Sequence, residues 1–225
     1  MAEKKKIAVL GCKNWAKDLI GKLGEDYDII TMGERKDCEF HLSFDIESQW
    51  DTHKIPEIKG LLNIGKISEL KGLIETPAEK WKAIVNSNLK LIYKSINFFS
   101  EFIAPGGSIV NILEAGQMEG LGGALIYDAF EKESTVLTKS LAYTYASKKI
   151  RINSIRIGYI DTEDLMGAGS KLKEIYLRNA KKNIPMGFVA DITDISNLVS
   201  FLLSDKSRYI TGNVINLDGG ISTKG

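Results

Sequence analysis

Short runs of β-branched and aliphatic residues alternate with stretches of helical period from one end of this chain to the other. Ile7 to Leu10, Tyr27 to Met32, Gly60 to Ile64, Ser108 to Leu113, Arg151 to Ile157 and Asn213 to Leu217 read as strands, and Glu39 to Phe44 as a weaker one. Asn14 stands where it can cap a helix with Trp15, Leu19, Ile20 and Leu23 on one face and Gly24 as its stop. A long helical pattern runs from about Pro77 to Phe102, with Trp81, Ile84, Val85, Leu89, Ile92 and Ile96 on its apolar stripe. A second runs from about Tyr127 to Ser147, and shorter ones span about Lys171 to Lys181 and Ile195 to Leu203. Strands that alternate with helices predict an α/β fold: a Rossmann-like, doubly wound parallel sheet with helices on both faces. No internal repeat or Pro/Ser-rich linker interrupts the pattern, so one domain over residues 1–225 is expected.

Two connections are short for that architecture. Only Gly33 to Cys38 separate the second and third strands, whereas a helical crossover takes about a dozen residues. The stretch between Asp45 and Gly60 is also too short for a full helix and its loops, so the helices of the N-terminal half are expected to be trimmed. Thirty lysines and arginines against 29 acidic residues leave a net charge of +1, which argues against a dedicated nucleic-acid or anionic-membrane binder. No apolar run reaches the roughly eighteen residues of a membrane span. Cys12, Cys38, His41 and His53 do not form a zinc-ligand spacing, so no metal site is expected. Met1 to Lys6 is not followed by the apolar stretch of a secretory signal. The expectation is a soluble, cytoplasmic protein.

Several segments carry a more specific signal. Ser108-Ile-Val-Asn-Ile112, Leu137-Thr-Lys-Ser-Leu-Ala142, Lys149-Ile-Arg-Ile-Asn-Ser-Ile155, Ile184-Pro-Met-Gly187, Phe201-Leu-Leu-Ser-Asp205 and Ile210-Thr-Gly-Asn-Val-Ile-Asn-Leu-Asp-Gly-Gly220 follow one another in order. Together they resemble the short-chain dehydrogenase/reductase family, in particular its 3-oxoacyl-[acyl-carrier-protein]-reductase-like members. The resemblance implies a nicotinamide cofactor, NAD or NADP, and a small-molecule ligand. It also implies a homo-oligomer, dimer or tetramer, assembled through the two long helices and the last strand.

The same resemblance exposes departures. The family works with an Asn, a Ser, a Tyr and a Lys. Asn88 matches the first and Tyr127 the third, but Glu114 stands at the serine position and Glu131 at the lysine position. In the family a neighbouring cation lowers the tyrosine pKa from about 10 towards working pH, and an anion pushes it the other way. An ionised Glu114 also cannot donate the hydrogen bond of a serine hydroxyl. The Gly-rich loop becomes Leu10-Gly-Cys-Lys-Asn-Trp-Ala-Lys17: Gly11 is kept, and Trp15 and Lys17 replace the other two glycines. Trp15 is expected either to fill cofactor space or to pack inwards as a core residue. The cofactor positions that the resemblance assigns are Gly11, Asp45, Ile46, Asn63, Gly65, Ile160 and Thr162.

Three readings follow. In the first, standard dehydrogenase chemistry is lost or strongly altered, and the protein has a binding, regulatory or assembly role. In the second, an NAD(P)H-dependent carbonyl or oxoacyl reductase uses Tyr127 with rearranged helpers. In the third, Glu114 and Glu131 flank Tyr127 as a carboxylate pair that shares a proton or holds a cation. The basic residues Lys171, Lys173, Arg178, Lys181 and Lys182 read as an exposed helix face.

Overall fold

The computed structural model describes residues 4–11, 14–33, 40–41, 55–65, 77, 79, 89, 92–114, 124–161 and 171–223. Seven strands form one sheet: β1 (Lys5–Leu10), β2 (Tyr27–Gly33), β3 (Phe40–His41), β4 (Ile58–Ile64), β5 (Ile103–Glu114), β6 (Arg151–Ile157) and β7 (Val214–Leu217). Every neighbouring pair is parallel, in the order β3-β2-β1-β4-β5-β6-β7. The helices are α1 (Asn14–Leu23), α2 (residues 92–99), α3 (Ala124–Tyr145), α4 (Lys171–Asn183) and α5 (Ile192–Leu203). Parallel strands buried on both faces need apolar residues at successive positions, because each side of the pleat meets a helix layer. In β1, Ala8 and Leu10 join a core with Ile96 and Phe99 of α2 and Leu141 of α3, while Ile7 and Val9 join a core with Leu19 of α1 and Val199 of α5. The doubly wound α/β class read from the sequence is the one observed.

The trimmed N-terminal half is visible in the numbering. β2 and β3 are parallel neighbours, yet only residues 34–39 lie between them, fewer than a helical crossover takes. Several boundaries differ from expectation by a few residues, β4 starting at Ile58 and α3 at Ala124 among them, and two of the differences have a clear cause. The Pro105-Gly-Gly107 segment reads as a turn, but β5 starts at Ile103, pairs Ile103 with Ile58, and absorbs a register shift before Ser108 meets Gly60. Gly106, at φ 80°, takes up that irregularity where a side chain would be strained. α5 begins three residues before its expected start because Asp191 caps it. The Asp191 carboxylate accepts from the Thr193 and Asp194 backbone N–H groups, and Asp194 accepts from the Asp191 N–H in return.

The other end of α5 is closed by β6. The guanidinium of Arg151, buried at the first residue of that strand, donates from Nη1 to the Leu202 carbonyl (2.8 Å) and Ser207 Oγ (2.7 Å), and from Nη2 to the Ser204 carbonyl (3.0 Å). Ser108 Oγ of β5 donates to the same Leu202 carbonyl. These donors satisfy carbonyls that a helix end leaves without partners, and the positive charge suits the negative end of the helix dipole. Replacement of Arg151 by Met is expected to cost about 1–3 kcal/mol, since it removes three hydrogen bonds from a buried charged donor while Ser108 and Ser207 still serve the Leu202 and Ser204 carbonyls. Urea unfolding at neutral pH checks this; a loss under about 1 kcal/mol would mean the cap is dispensable.

Candidate functional site

In an open doubly wound sheet the ligand crevice lies beyond the carboxyl ends of the strands, where the strand order reverses. Here that point falls between β1 and β4, and the residues that leave those two strands are Gly11 and Gly65. Gly11 has φ 86°, and a Cβ on it would collide with the Ile64 carbonyl oxygen. The room that this glycine provides is therefore taken up by the backbone of β4. Gly65 donates its N–H to the Ile112 carbonyl of β5 (3.1 Å), so it too is held by the sheet.

Trp15, in the first turn of α1, is 7% exposed and packs in the core shared by α1, α5 and the sheet. Of the two expected placements, the inward one is found. Lys17, two residues further along, is exposed. The family's pyrophosphate loop needs residues without Cβ at these two places. At this loop the described residues depart from the family's glycine pattern at Trp15 and Lys17, with the Trp15 indole lodged in the core.

A buried polar row crosses the sheet just below the strand ends. Leu10, Asn63, Asn111 and Ser154 are register partners on β1, β4, β5 and β6. Asn63 Nδ2 donates to Asn111 Oδ1 (2.8 Å), and Asn111 Nδ2 donates to Ser154 Oγ (3.3 Å). Ser154 Oγ shares a 2.7 Å hydrogen bond with Thr138 Oγ1 of α3. Buried polar groups are costly without partners, so this row fixes α3 against the sheet at one register. Asn63, expected at a cofactor contact, is 1% exposed and belongs to this internal row. Asn111, Ser154 and Thr138 are absent from the sequence-based site. Their only signal there is a polar residue within each of several apolar runs.

The row sets where the remaining positions fall. On α3, Ser134, Thr138, Leu141 and Tyr145 form the buried stripe, at spacings of four, three and four. The same spacings continued towards the helix start reach positions 131 and 127. α3 runs against the strands: Thr138 meets Ser154, and the Tyr145 carbonyl accepts from Ile150 N–H at the far end. The start of α3, with Tyr127 and Glu131 in its backbone, therefore lies at the carboxyl ends of β5 and β6. Glu114 is the last residue of β5, in register with Ile157 of β6. The fold thus brings positions 114, 127 and 131 to one end of the sheet. For these three the backbone alone is described, and Asn88, Asp45, Ile46 and Thr162 lie outside the described residues.

Beyond β6 the chain is tied down. Ile160, another expected cofactor position, is buried and forms a parallel bridge with Ala190. Gly158 lies against Asp218, where a Cβ would come within 2.9 Å of the Asp218 Cβ. Asp218 accepts from the N–H groups of Gly220 (2.9 Å) and Ser222 (3.0 Å), so the Asp-Gly-Gly segment works as a turn. Burial raises the Asp218 pKa, but the Ser222 and Gly220 hydrogen bonds and the charge of Arg156 outweigh it and hold the carboxyl below its ordinary value. α4 folds back over this exit: Lys173 pairs with Asp161 at 2.7 Å, and the Tyr159 and Tyr176 rings meet edge to face at 5.5 Å. Lys173 thus departs from the expected exposed basic face, while Lys171, Arg178, Lys181 and Lys182 are exposed. Among the described residues no His/Cys/Asp/Glu group is arranged to hold a metal, and no helix is long and apolar enough to cross a membrane. A groove lined by Lys4, Lys22, Tyr27, Ser200 and Lys206 opens at the opposite, amino-terminal ends of β1 and β2.

A seven-stranded parallel sheet with its order reversed at β1/β4 and helices on both faces defines the Rossmann-like class. Residues 49–222 match the family model described as enoyl-(acyl carrier protein) reductase. The chain is 34% identical over 155 residues to the 3-oxoacyl-[acyl-carrier-protein] reductase FabG of Chlamydia trachomatis, a match spanning 67% of this chain and 60% of that protein. It is 31% identical over 170 residues to the FabG of Thermotoga maritima, spanning 75% of this chain and 68% of that protein. The fold is shared with a short chain dehydrogenase family protein from Francisella tularensis, at TM-score 0.81 and 21% identity over 99% of this chain and 100% of that one. It is shared also with ElxO with NADP bound, at TM-score 0.80 and 23% identity over 99% and 100% of the two chains. The chain belongs to the short-chain dehydrogenase/reductase family.

Because the Trp15 indole is part of the core, restoring a small residue there is expected to destabilise. Trp15→Ala should cost about 3–5 kcal/mol, the usual loss for a large buried aromatic side chain. Chemical denaturation checks it. A cost below about 1 kcal/mol would place the indole outside the core.

Proposed function

We propose that this short-chain dehydrogenase/reductase has lost or strongly altered the family's standard hydride-transfer chemistry, and that it serves a binding, regulatory or assembly role. Position 131 carries the reading. It lies on the stripe of α3 that faces the sheet, one turn beyond Tyr127, and holds Glu131 where the family holds lysine. The tyrosine then lacks the adjacent cation that would bring its pKa towards neutrality. Glu114 at the end of β5 removes the serine donor, and Trp15 and Lys17 remove two glycines of the phosphate loop. Each change acts on a different step: proton transfer, carbonyl polarisation and cofactor docking.

The segments that the resemblance assigns to assembly support a homo-oligomer as part of this reading. Tyr93 on α2 and Val136 and Tyr143 on α3 expose apolar surface on the two long helices, which suits a homo-oligomer formed through that face. The chain's own place is taken to be the cytoplasm.

A second reading is favoured by one observation. With its indole in the core, Trp15 does not fill the crevice, so an NAD(P)H-dependent reductase of a small carbonyl or acyl substrate remains sterically open, using Tyr127 with other helpers. One titration separates the two. Purified protein is mixed with NADH and with NADPH while nicotinamide fluorescence is followed, and a ketone and oxoacyl-thioester panel is assayed for turnover. The first reading expects no binding below millimolar concentration and no turnover. Submillimolar binding with turnover abolished by Tyr127→Phe would overturn it in favour of the reductase. Light scattering on the same preparation reads the assembly: a dimer or tetramer is expected, and a monomer contradicts it.

A further inference from the structure

The net charge of +1 averages over an uneven distribution, and neither functional reading uses the most basic helix. α4 carries Lys171, Lys173, Arg178, Lys181 and Lys182 against one acidic residue, Glu174, so the rest of the chain is net negative. The helix meets the body through one side. Ala180 is buried there, Tyr176 meets the Tyr159 ring, and Lys173 reaches Asp161. Positions 171, 175, 178 and 182, at spacings of four, three and four, share the other face. Lys171, Ile175, Arg178 and Lys182 are all exposed, so this face presents three cations around an isoleucine that is 44% exposed.

The chain leaves α4 through a turn that projects more apolar surface. Ile184 is buried against Gly219, and the Met186 N–H donates to the Gly219 carbonyl (3.1 Å). The Gly187 N–H closes back on the Ile184 carbonyl (2.9 Å), with Gly187 at φ 76°. On this braced turn Met186 is 63% and Phe188 50% exposed. Apolar side chains scattered singly over a surface need no explanation. Here two of them stand on one fixed turn directly after the basic pair Lys181-Lys182. Cations that attract and apolar side chains that insert are the two components of binding to an anionic bilayer surface. Asp191, the next acidic residue along the chain, is committed to the cap of α5.

We propose that α4 and the turn at residues 184–188 form a docking surface for an anionic lipid membrane. Lys171, Arg178, Lys181 and Lys182 face the headgroups, and Met186 and Phe188 enter the acyl boundary. Three of these four cations are lysines spread along the helix, which suits a diffuse negative surface. Recognition of an acidic protein would favour arginine forks aimed at fixed carboxylates. Because α4 lies over the exit of β6, docking turns the carboxyl ends of the strands towards the bilayer. The surface goes beyond both functional readings, since it needs neither hydride transfer nor its loss.

Flotation of the full chain with vesicles of phosphatidylcholine, alone or mixed with phosphatidylglycerol, tests the proposal. Binding is expected to the mixed vesicles at low ionic strength, falling as salt screens the lysines, and not to phosphatidylcholine alone. Each basic residue near such a surface is worth about fivefold in affinity, so Lys181→Gln/Lys182→Gln should weaken binding by about tenfold or more. Met186→Ser/Phe188→Ser should weaken it by about tenfold as well. All four side chains are exposed, so the urea unfolding of these variants should match that of the unaltered protein. Lys22→Gln/Lys206→Gln, at the opposite ends of the strands, should leave binding unchanged. No binding to mixed vesicles at low salt, or binding indifferent to either α4-side double variant, would overturn the proposal. So would binding of polyglutamate tighter than that of the vesicles, which would assign the face to an acidic protein.

Discussion

A parallel sheet buried on both faces has no solvent side on which to hide a polar residue, so every polar group inside it must be matched by another. The row from Asn63 through Asn111 and Ser154 to Thr138 meets most of that demand by hydrogen bonding across three strands and into a helix, with Asn63 Oδ1 at its end left without a partner. Apolar contacts alone would let α3 slide along β6 at modest cost, whereas a mismatched buried amide or hydroxyl costs far more. The row therefore sets the register of α3, and the register places positions 127 and 131 at the carboxyl ends of β5 and β6. Arg151 acts similarly on the opposite face, holding the end of α5 to the start of β6. Between them, these two sets of bonds tie one helix from each layer to the same strand.

On that frame the family fold is kept while several residues at its site positions differ from the family pattern. Trp15 shows how a residue at a position the family gives to glycine can serve the fold. In the first turn of α1 it contributes its indole to the core, where the family pattern has a glycine. Gly11 persists for a reason internal to the sheet, because β4 passes where its side chain would be. Retention of a family residue is thus no sign of retained binding, as Asn63 in its polar row also illustrates.

The parts of the fold legible in the sequence are those in which local pattern and tertiary demand agree. β6 reads from Arg151 to Ile157 without error because both of its faces are buried and Gly158 ends it. β5 is misread at its start because a Pro-Gly-Gly segment resembles a turn, and only pairing with Ile58 shows it to be an irregular strand. The Asp191 cap was present in the sequence as Asp-x-x-Asp but is hidden by the apolar run that follows it. The site was legible as a set of substituted positions, since Glu114, Tyr127 and Glu131 stand at fixed distances from recognisable segments. The polar row was not, because a residue's partners across a sheet depend on register, which no single segment encodes.

The central claim is that this scaffold no longer carries out the family's hydride transfer. The most direct measurement is single-turnover transfer of deuterium from NADPH labelled at the reactive carbon, with millimolar cofactor, excess protein and an oxoacyl-thioester acceptor, read by mass spectrometry of the product. The account predicts no deuterium above the protein-free control. Deuterium in the product that disappears with Tyr127→Phe would contradict it.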